Sequence, residues 1–169
     1  AVHRLPCEAF PHLEKFSDSR SHVMKELQFF PSEIFAAFNI AQRAKDYITT
    51  FVNKTRPSVV LHGDLLPQNL LSETDGHEWK PGVIDWECAK IGDPAYDLAI
   101  VSRGNNKVLG NKGGLRHLLE AYREMGGLNL AMSDVVIHEL LLHLNWLQRS
   151  AHQREKGICD GHGPDYYEK

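Results

Sequence analysis

A chain of 169 residues, set against about 150 for a typical domain, is expected to form a single domain, and 42% hydrophobic residues suffice for a sizeable core. Nineteen basic side chains against 22 acidic ones give a net charge of −3, which offers no basic footprint to nucleic acid. No apolar run approaches the roughly 18 residues of a membrane span, and Cys7, Cys88 and Cys159 fit neither a disulfide framework nor paired zinc ligands. A cytoplasmic protein with neither membrane nor nucleic acid as partner is expected.

Pro6 and Pro11 interrupt the start of the chain, and residues 19–30 read as a short helix. Residues 31–52 read as one longer helix, with Ser32 at the N-cap, Glu33 at the positive end, and Ile34, Phe38, Ala41, Ile48 and Val52 along an apolar stripe. From Pro57 the texture changes. Residues 58–61 form a β-branched run, Asn69-Leu70-Leu71 leads into the turn signal Glu73-Thr74-Asp75-Gly76, and Val83-Ile84 precedes Asp85. Three strands this short build no large sheet, but they can hold loops. Asp93-Pro94-Ala95-Tyr96-Asp97-Leu98 opens the next helix, with Asp93 as N-cap and Pro94 at its first position. Leu115, Leu118, Leu119 and Tyr122 mark another, stopped by Gly126-Gly127, and a last helix starts at Ser133 with Val136, Leu140, Leu144 and Leu147 on one face. Residues 153–169, with three glycines and a proline, are expected to be an irregular tail.

Residues 58–99 carry the chemistry. They contain Val60-Leu61-His62-Gly63-Asp64-Leu65-Leu66-Pro67-Gln68-Asn69-Leu70-Leu71, then Gly82-Val83-Ile84-Asp85-Trp86-Glu87, then Ile91-Gly92-Asp93-Pro94-Ala95-Tyr96-Asp97-Leu98-Ala99. Phosphoryl transfer from a nucleotide asks for a carboxylate to orient the acceptor hydroxyl and for oxygen ligands that hold magnesium on the phosphates. Asp64 has the chemistry for the first task, and Asn69 and Asp85 for the second, since magnesium takes hard oxygen ligands and completes its shell with water and phosphate. Asn69 and Asp85 fall at the ends of predicted strands, where rigid backbone aims them.

These residues resemble the aminoglycoside phosphotransferase family, small-molecule kinases that share the protein-kinase-like fold with choline kinases. The likeness rests on His-Gly-Asp-Leu-x-x-x-Asn at 62–69, Ile-Asp-Trp-Glu at 84–87 and Gly-Asp-Pro-x-x-Asp-Leu at 92–98. It implies an α+β, mostly α-helical fold: the C-terminal lobe of a protein-kinase-like fold, its short strands carrying the catalytic and metal loops. It implies Asp64 as catalytic base, Asn69 and Asp85 as Mg2+ ligands, and either Asp93 or Asp97 as the helix-start carboxylate that braces the catalytic loop. The donor it implies is ATP or GTP, and the acceptor a hydroxyl of a small molecule, antibiotic or metabolite. Members of that family grip the nucleotide mainly through an N-terminal lobe with a covering loop and a strand lysine, and no such stretch precedes the opening Ala1-Val2-His3-Arg4-Leu5-Pro6. The chain is therefore expected to be the C-terminal lobe of a longer kinase, inactive alone, with the missing N-terminal lobe as its partner.

Blander readings stand beside these. Asp64 also suits a turn after Gly63, Asp93 and Asp97 suit a helix start, and His62 suits hydrogen bonds to the loop backbone. Glu87 reads equally as an acceptor behind the metal or as surface. Ten histidines raise a metal-dependent hydrolase built on His62, Asp64 and Asp85, but His138 and His143 lie five apart rather than four, and Cys159-Asp160-Gly161-His162 lacks a second cysteine pair. The remaining histidines are expected to be solvated or capping, and Trp86 and Trp146 to pack. Glu139, Asp160 and Asp165 are expected to be solvated surface rather than the acidic wall of a cleft for a cationic acceptor. A kinase-like lobe that binds without chemistry is the other alternative, although such a lobe has no physical need for Asp64, Asn69 and Asp85 together.

Overall fold

The computed structural model describes residues 2–52, 55–74, 79–103 and 114–155. Two 3-10 turns, Val2–Arg4 and Cys7–Ala9, lead to helices α1 (Ser19–Gln28), α2 (Ser32–Ala37) and α3 (Asn39–Phe51). A strand-and-loop centre follows: β1 (Val59–Leu61), the turn Pro67–Asn69, β2 (Leu70–Thr74), β3 (Trp79–Val83), the turn Trp86–Cys88 and β4 (Lys90–Gly92). Helices α4 (Ala95–Arg103), α5 (Gly114–Glu124) and α6 (Met132–Glu155) complete a mostly helical α+β architecture. None of the described helices is long and apolar enough to cross a membrane.

α6 is the spine. At 24 residues it is about 36 Å long, and its two sides serve two buried clusters. Ile137, Leu141 and Leu144 pack with Val23, Leu27, Ile34, Ala41 and Ile48 of α1, α2 and α3, while Val135 and Leu142 pack with Ala95, Leu98, Ala99 and Ile100 of α4. α1 starts on a reciprocal cap, in which Asp18 Oδ1 accepts the Ser21 amide at 2.7 Å and Ser21 Oγ accepts the Asp18 amide at 3.0 Å.

The helix expected over residues 31–52 is two helices. Phe38 sits in extended backbone, φ −126° and ψ 109°, and its carbonyl accepts the amides of Ala41 and Gln42, starting α3 afresh. No glycine or proline marks this break, and both helices join the same buried cluster, Phe35 of α2 meeting Phe30 edge-on and Ala41 and Ile48 of α3 lying with Ile137, Leu141 and Leu144 of α6. Pro31 rather than Ser32 holds the cap position, without a side-chain bond. At the other end α6 runs through Gln153 to Glu155, so the expected tail is helical for its first three residues, and residues 156–169 lie outside the described ones.

Two antiparallel ribbons aim the loops. In the β2–β3 ribbon Leu70 faces Val83, so Asn69 and Ile84 meet just past its open end, where the Ile84 amide bonds the Asn69 carbonyl at 3.0 Å. β4, unforeseen in the sequence, pairs with β1 from Val59 opposite Gly92 to Leu61 opposite Lys90. Its central Ile91 also bonds the chain near the N-terminus, through the Glu14 carbonyl at 2.8 Å and the Phe16 amide at 2.9 Å. Three residues with one β-branched side chain form a strand here because two neighbours share its backbone groups.

Candidate active site

β1 ends at Leu61, and the next three residues are His62, Gly63 and Asp64. Gly63 has φ +84°, and a Cβ there would lie 2.0 Å from the Cys88 carbonyl oxygen, so this loop passes the turn after Asp85 only because residue 63 is glycine. Asp97, in the first turn of α4 and fully buried, holds the loop by its backbone: Oδ2 accepts the His62 amide and Oδ1 the Gly63 amide, each at 2.9 Å. The choice left open between Asp93 and Asp97 thus falls to Asp97. Asp93 instead caps α4 through the Ala95 amide, at 3.1 Å.

The His62 ring is a strut between the two loops. Nε2 lies 2.9 Å from the Ile84 carbonyl and donates to it, and Nδ1 accepts the Asp64 amide at 3.3 Å. Trp86 packs edge-on to the same ring at 4.8 Å and anchors its own indole N–H on the Val83 carbonyl. With both ring nitrogens committed, His62 has none to offer a metal, which removes the imidazole that the hydrolase reading requires.

Asp64 is half-buried and tethered by Asn69, whose Nδ2 donates to Asp64 Oδ2 at 2.9 Å and to the Asp64 carbonyl at 2.8 Å. This pair of hydrogen bonds from one amide nitrogen accounts for the five-residue spacing: the turn Pro67–Asn69 folds the loop back onto its own start. It also leaves Oδ1 as the atom Asn69 can present to a cation. Asp85, one residue past Ile84, is the only non-glycine residue at positive φ among those described, with φ 67° and ψ 65°. The left-handed region costs about 1–2 kcal/mol for most side chains and less for Asp. Its carboxylate is exposed and forms no hydrogen bond with a described residue. Partial burial, with the charges of Asp64, Glu87 and Asp85, pushes the Cys88 thiol up, a local sign that these carboxylates concentrate negative potential at one place. Glu87 is surface-exposed on the same turn.

Behind the loops lies a second set of charges that the motifs do not show. Arg56 reaches Asp93 Oδ2 at 2.9 Å and Asp134 Oδ1 at 3.0 Å, and His138 Nε2 approaches the same Asp93 oxygen at 3.1 Å. Burial raises the Asp93 carboxyl, but the bond from His138, the charges of His138 and Arg56 and the Ala95 amide outweigh it and hold the group well below the usual carboxylate range. His22 accepts the Asp93 amide on Nδ1 at 3.0 Å and stacks on Phe16 at 4.2 Å, and Lys90 bonds Glu26 at 3.2 Å while lying over the Tyr96 ring.

His22 and His138, expected to be solvated or capping, are fully buried, while His62 bonds the loop backbone. Glu139, expected at the surface, is half-buried and bonded to Ser102 of α4, while Trp146, partly exposed, packs edge-on to His143. Asp160, Asp165, Cys159 and His162 lie outside the described residues. No local spacing marks Arg56, His22 or His138 as partners of Asp93, since each comes from a distant part of the chain.

A mostly helical domain whose short ribbons present a tethered aspartate beside an asparagine and a second aspartate defines a protein-kinase-like class of phosphotransferase fold. The chain belongs to the phosphotransferase enzyme family, whose model matches residues 3–154. It is 53% identical over 45 residues to viomycin phosphotransferase of Streptomyces vinaceus, a stretch covering 26% of this chain and 16% of that protein. It is 37% identical over 70 residues to the uncharacterized protein YcbJ of Bacillus subtilis strain 168, covering 41% of this chain and 21% of the relative. The chain thus aligns with less than a quarter of the length of either.

Proposed function

We propose that this chain is the C-terminal, acceptor- and metal-binding lobe of a cytoplasmic small-molecule kinase that moves the γ-phosphoryl group of ATP or GTP onto a substrate hydroxyl. One observation carries the reading: in a chain whose other motif aspartates are buried and saturated with donors, Asp64 keeps one carboxylate oxygen clear of its tether and Asp85 is held in a left-handed conformation with no partner among the described residues. In this reading Asp64 Oδ1 accepts the hydrogen bond of the acceptor hydroxyl. As that oxygen bonds the γ-phosphorus, the bond to the β,γ-bridging oxygen breaks, the nucleoside diphosphate leaves with the electron pair, and the hydroxyl proton passes to Asp64.

The Asp85 carboxylate and Asn69 Oδ1 would hold Mg2+, two hard oxygen ligands being enough where phosphate and water fill the shell, and the ion would supply neutralisation of the phosphate charge. Asp97 and His62 keep the loop in place and touch no substrate. The acceptor belongs to the class of hydroxyl-bearing small molecules. Nucleotide phosphates would be gripped largely by an N-terminal lobe of the same protein, so the 169-residue chain alone would bind nucleotide weakly.

The test is transfer of label from γ-labelled ATP or GTP, with Mg2+, to a panel of hydroxyl-bearing small molecules by the two-lobed protein. A labelled, phosphatase-sensitive product that disappears in Asp64→Asn is expected. No product with any acceptor or donor would favour a non-catalytic binding lobe, and full turnover by the isolated chain would remove the two-lobe reading.

A further inference from the structure

The carboxylate that holds the Asp64 loop is itself held from outside the motifs. Asp97 Oδ2, which already accepts the His62 amide, lies 3.0 Å from His3 Nε2 in the turn Val2–Arg4. His3 Nδ1 lies 2.8 Å from the Tyr122 hydroxyl of α5, and the two rings meet edge to face at 5.5 Å. A carboxylate can only accept, so Nε2 carries the proton that faces Asp97; in the neutral ring Nδ1 is then a lone pair that takes the Tyr122 hydroxyl hydrogen. Tyr122 has little freedom to move away, because Gly127 closes against it: a Cβ on Gly127 would lie 2.4 Å from the ring carbon Cζ.

An unbroken series of hydrogen bonds therefore runs from Tyr122 to His3, to Asp97, to the amides of His62 and Gly63, and through the His62 ring to Ile84 beside Asp85. Its ends lie on α5 and on the last residue before the proposed metal ligand. The contrast with Asp93 shows why the imidazole matters. Asp93 is buried with a guanidinium beside it, whereas the bonds to Asp97 come from two amides and His3. A buried carboxylate short of donors is costly and free to rotate toward others, and the third donor closes both gaps.

We propose that His3, oriented by Tyr122, is a positioning residue: it fixes the Asp97 carboxylate so that its two oxygens meet the His62 and Gly63 amides, and thereby sets the place of Asp64. The importance of that place for turnover rests on the kinase reading above, but the positioning itself does not. Because His3 belongs to the N-terminal turn, which packs against β1, the series ties the beginning of the chain to the Asp64 loop.

Hydrogen exchange of assigned backbone amides in the 169-residue chain tests this without any phosphoryl transfer. His3→Leu is expected to speed exchange at His62 and Gly63 about ten-fold, the size of one charge-assisted hydrogen bond, while Leu141 and Leu144 in the α6 core keep their rates. His3→Gln returns an N–H donor and is expected to restore most of the protection; Tyr122→Phe is expected to loosen the same two amides by a smaller factor. Unchanged exchange at His62 and Gly63 in His3→Leu overturns the proposal, and so does uniform acceleration at every amide without rescue by Gln. Should His3→Leu not fold, Tyr122→Phe, which removes a single oxygen atom, decides by the same comparison. A two-lobed protein that transfers no phosphoryl group would sink the kinase reading and leave the amide result standing.

Discussion

Asp93 and Asp97 on one side, and Asp64 and Asp85 on the other, are the same side chain in opposite settings. The first two are buried and supplied with donors: Arg56, His138 and the Ala95 amide for Asp93, and two loop amides with His3 for Asp97. Asp64 is half-buried with a single tether on its carboxylate, and Asp85 is exposed, without a partner among the described residues, on strained backbone. A carboxylate taken out of water must have its lone pairs matched, and once they are matched it has nothing left for a substrate or a metal. An aspartate available for chemistry must instead be held by its backbone, and both Asp64 and Asp85 are. Asp64 follows two amides clamped by Asp97, and Asp85 follows a residue pinned by His62 and by the hairpin.

The largest effects should come from the unsaturated pair, and they should be effects on rate. In the two-lobed kinase proposed above, with Asp64 as its general base, Asp64→Asn is expected to lower kcat by about 10²- to 10⁴-fold, the usual size of such a contribution, with little change in nucleotide affinity or melting temperature. Steady-state kinetics and a melting curve on that variant check it; an early-melting protein that turns over normally would move Asp64 to the structural side. Asp85→Gly draws the line more sharply. Glycine relieves the left-handed strain, so stability should hold or rise slightly, while magnesium-dependent turnover should be lost with the proposed ligand oxygen. A variant that loses stability and keeps its magnesium dependence would reverse the assignment.

The saturated set should respond in stability. Arg56→Ala leaves Asp93 and Asp134 buried with one donor fewer each, and removing one member of a buried ion pair costs about 3–5 kcal/mol. Urea unfolding of the wild-type and variant chains measures it. A cost near that of an exposed ion pair, below about 1 kcal/mol, would mean that His138 and the helix cap suffice and that the comparison overstates the role of the guanidinium.

That difference also explains what was legible in the sequence. That Asp64, Asn69 and Asp85 lie close together was legible because the geometry joining them is local: Asn69 reaches back five residues to Asp64, and the hairpin joins Asn69 to Ile84, the neighbour of Asp85. The division between Asp93 and Asp97 was not, because the deciding partners lie 34, 35 and 37 positions away, at Gly63 and His62 for Asp97 and at Arg56 for Asp93. β4 was hidden for the same reason, since Lys90-Ile91-Gly92 becomes a strand only between β1 and the segment around Glu14. The break at Phe38 was hidden because no helix-breaking residue marks it. The start of α4 was legible because its cap, Asp93, lies within the same few residues, whereas the cap read at Ser32 falls to Pro31.

The smallest effect, and the one that sharpens the comparison most finely, is the pH dependence of stability from the buried cluster. Burial raises the Glu26 carboxyl, yet the His22 imidazole 3.6 Å away and the charge and hydrogen bond of Lys90 outweigh it, so the group titrates at about 2 when folded against 4.5 as an ordinary carboxyl. Its contribution is complete above about 4.5 and is lost as pH falls toward 2; Asp93, also held low, acts in the same direction. His22 adds an earlier step. Burial lowers its imidazole below the ordinary 6.5, so under acid conditions the unfolded chain takes up a proton that the folded chain refuses, and stability begins to fall once pH drops below 6.5. Urea unfolding at about pH 7.5, 5.5 and 3.5 should therefore show a shallow loss and then a steeper one. In Glu26→Gln the steeper step should shrink while the shallow one remains, and a profile that is flat across the range would show that these buried charges are balanced against the unfolded chain rather than stabilising the fold.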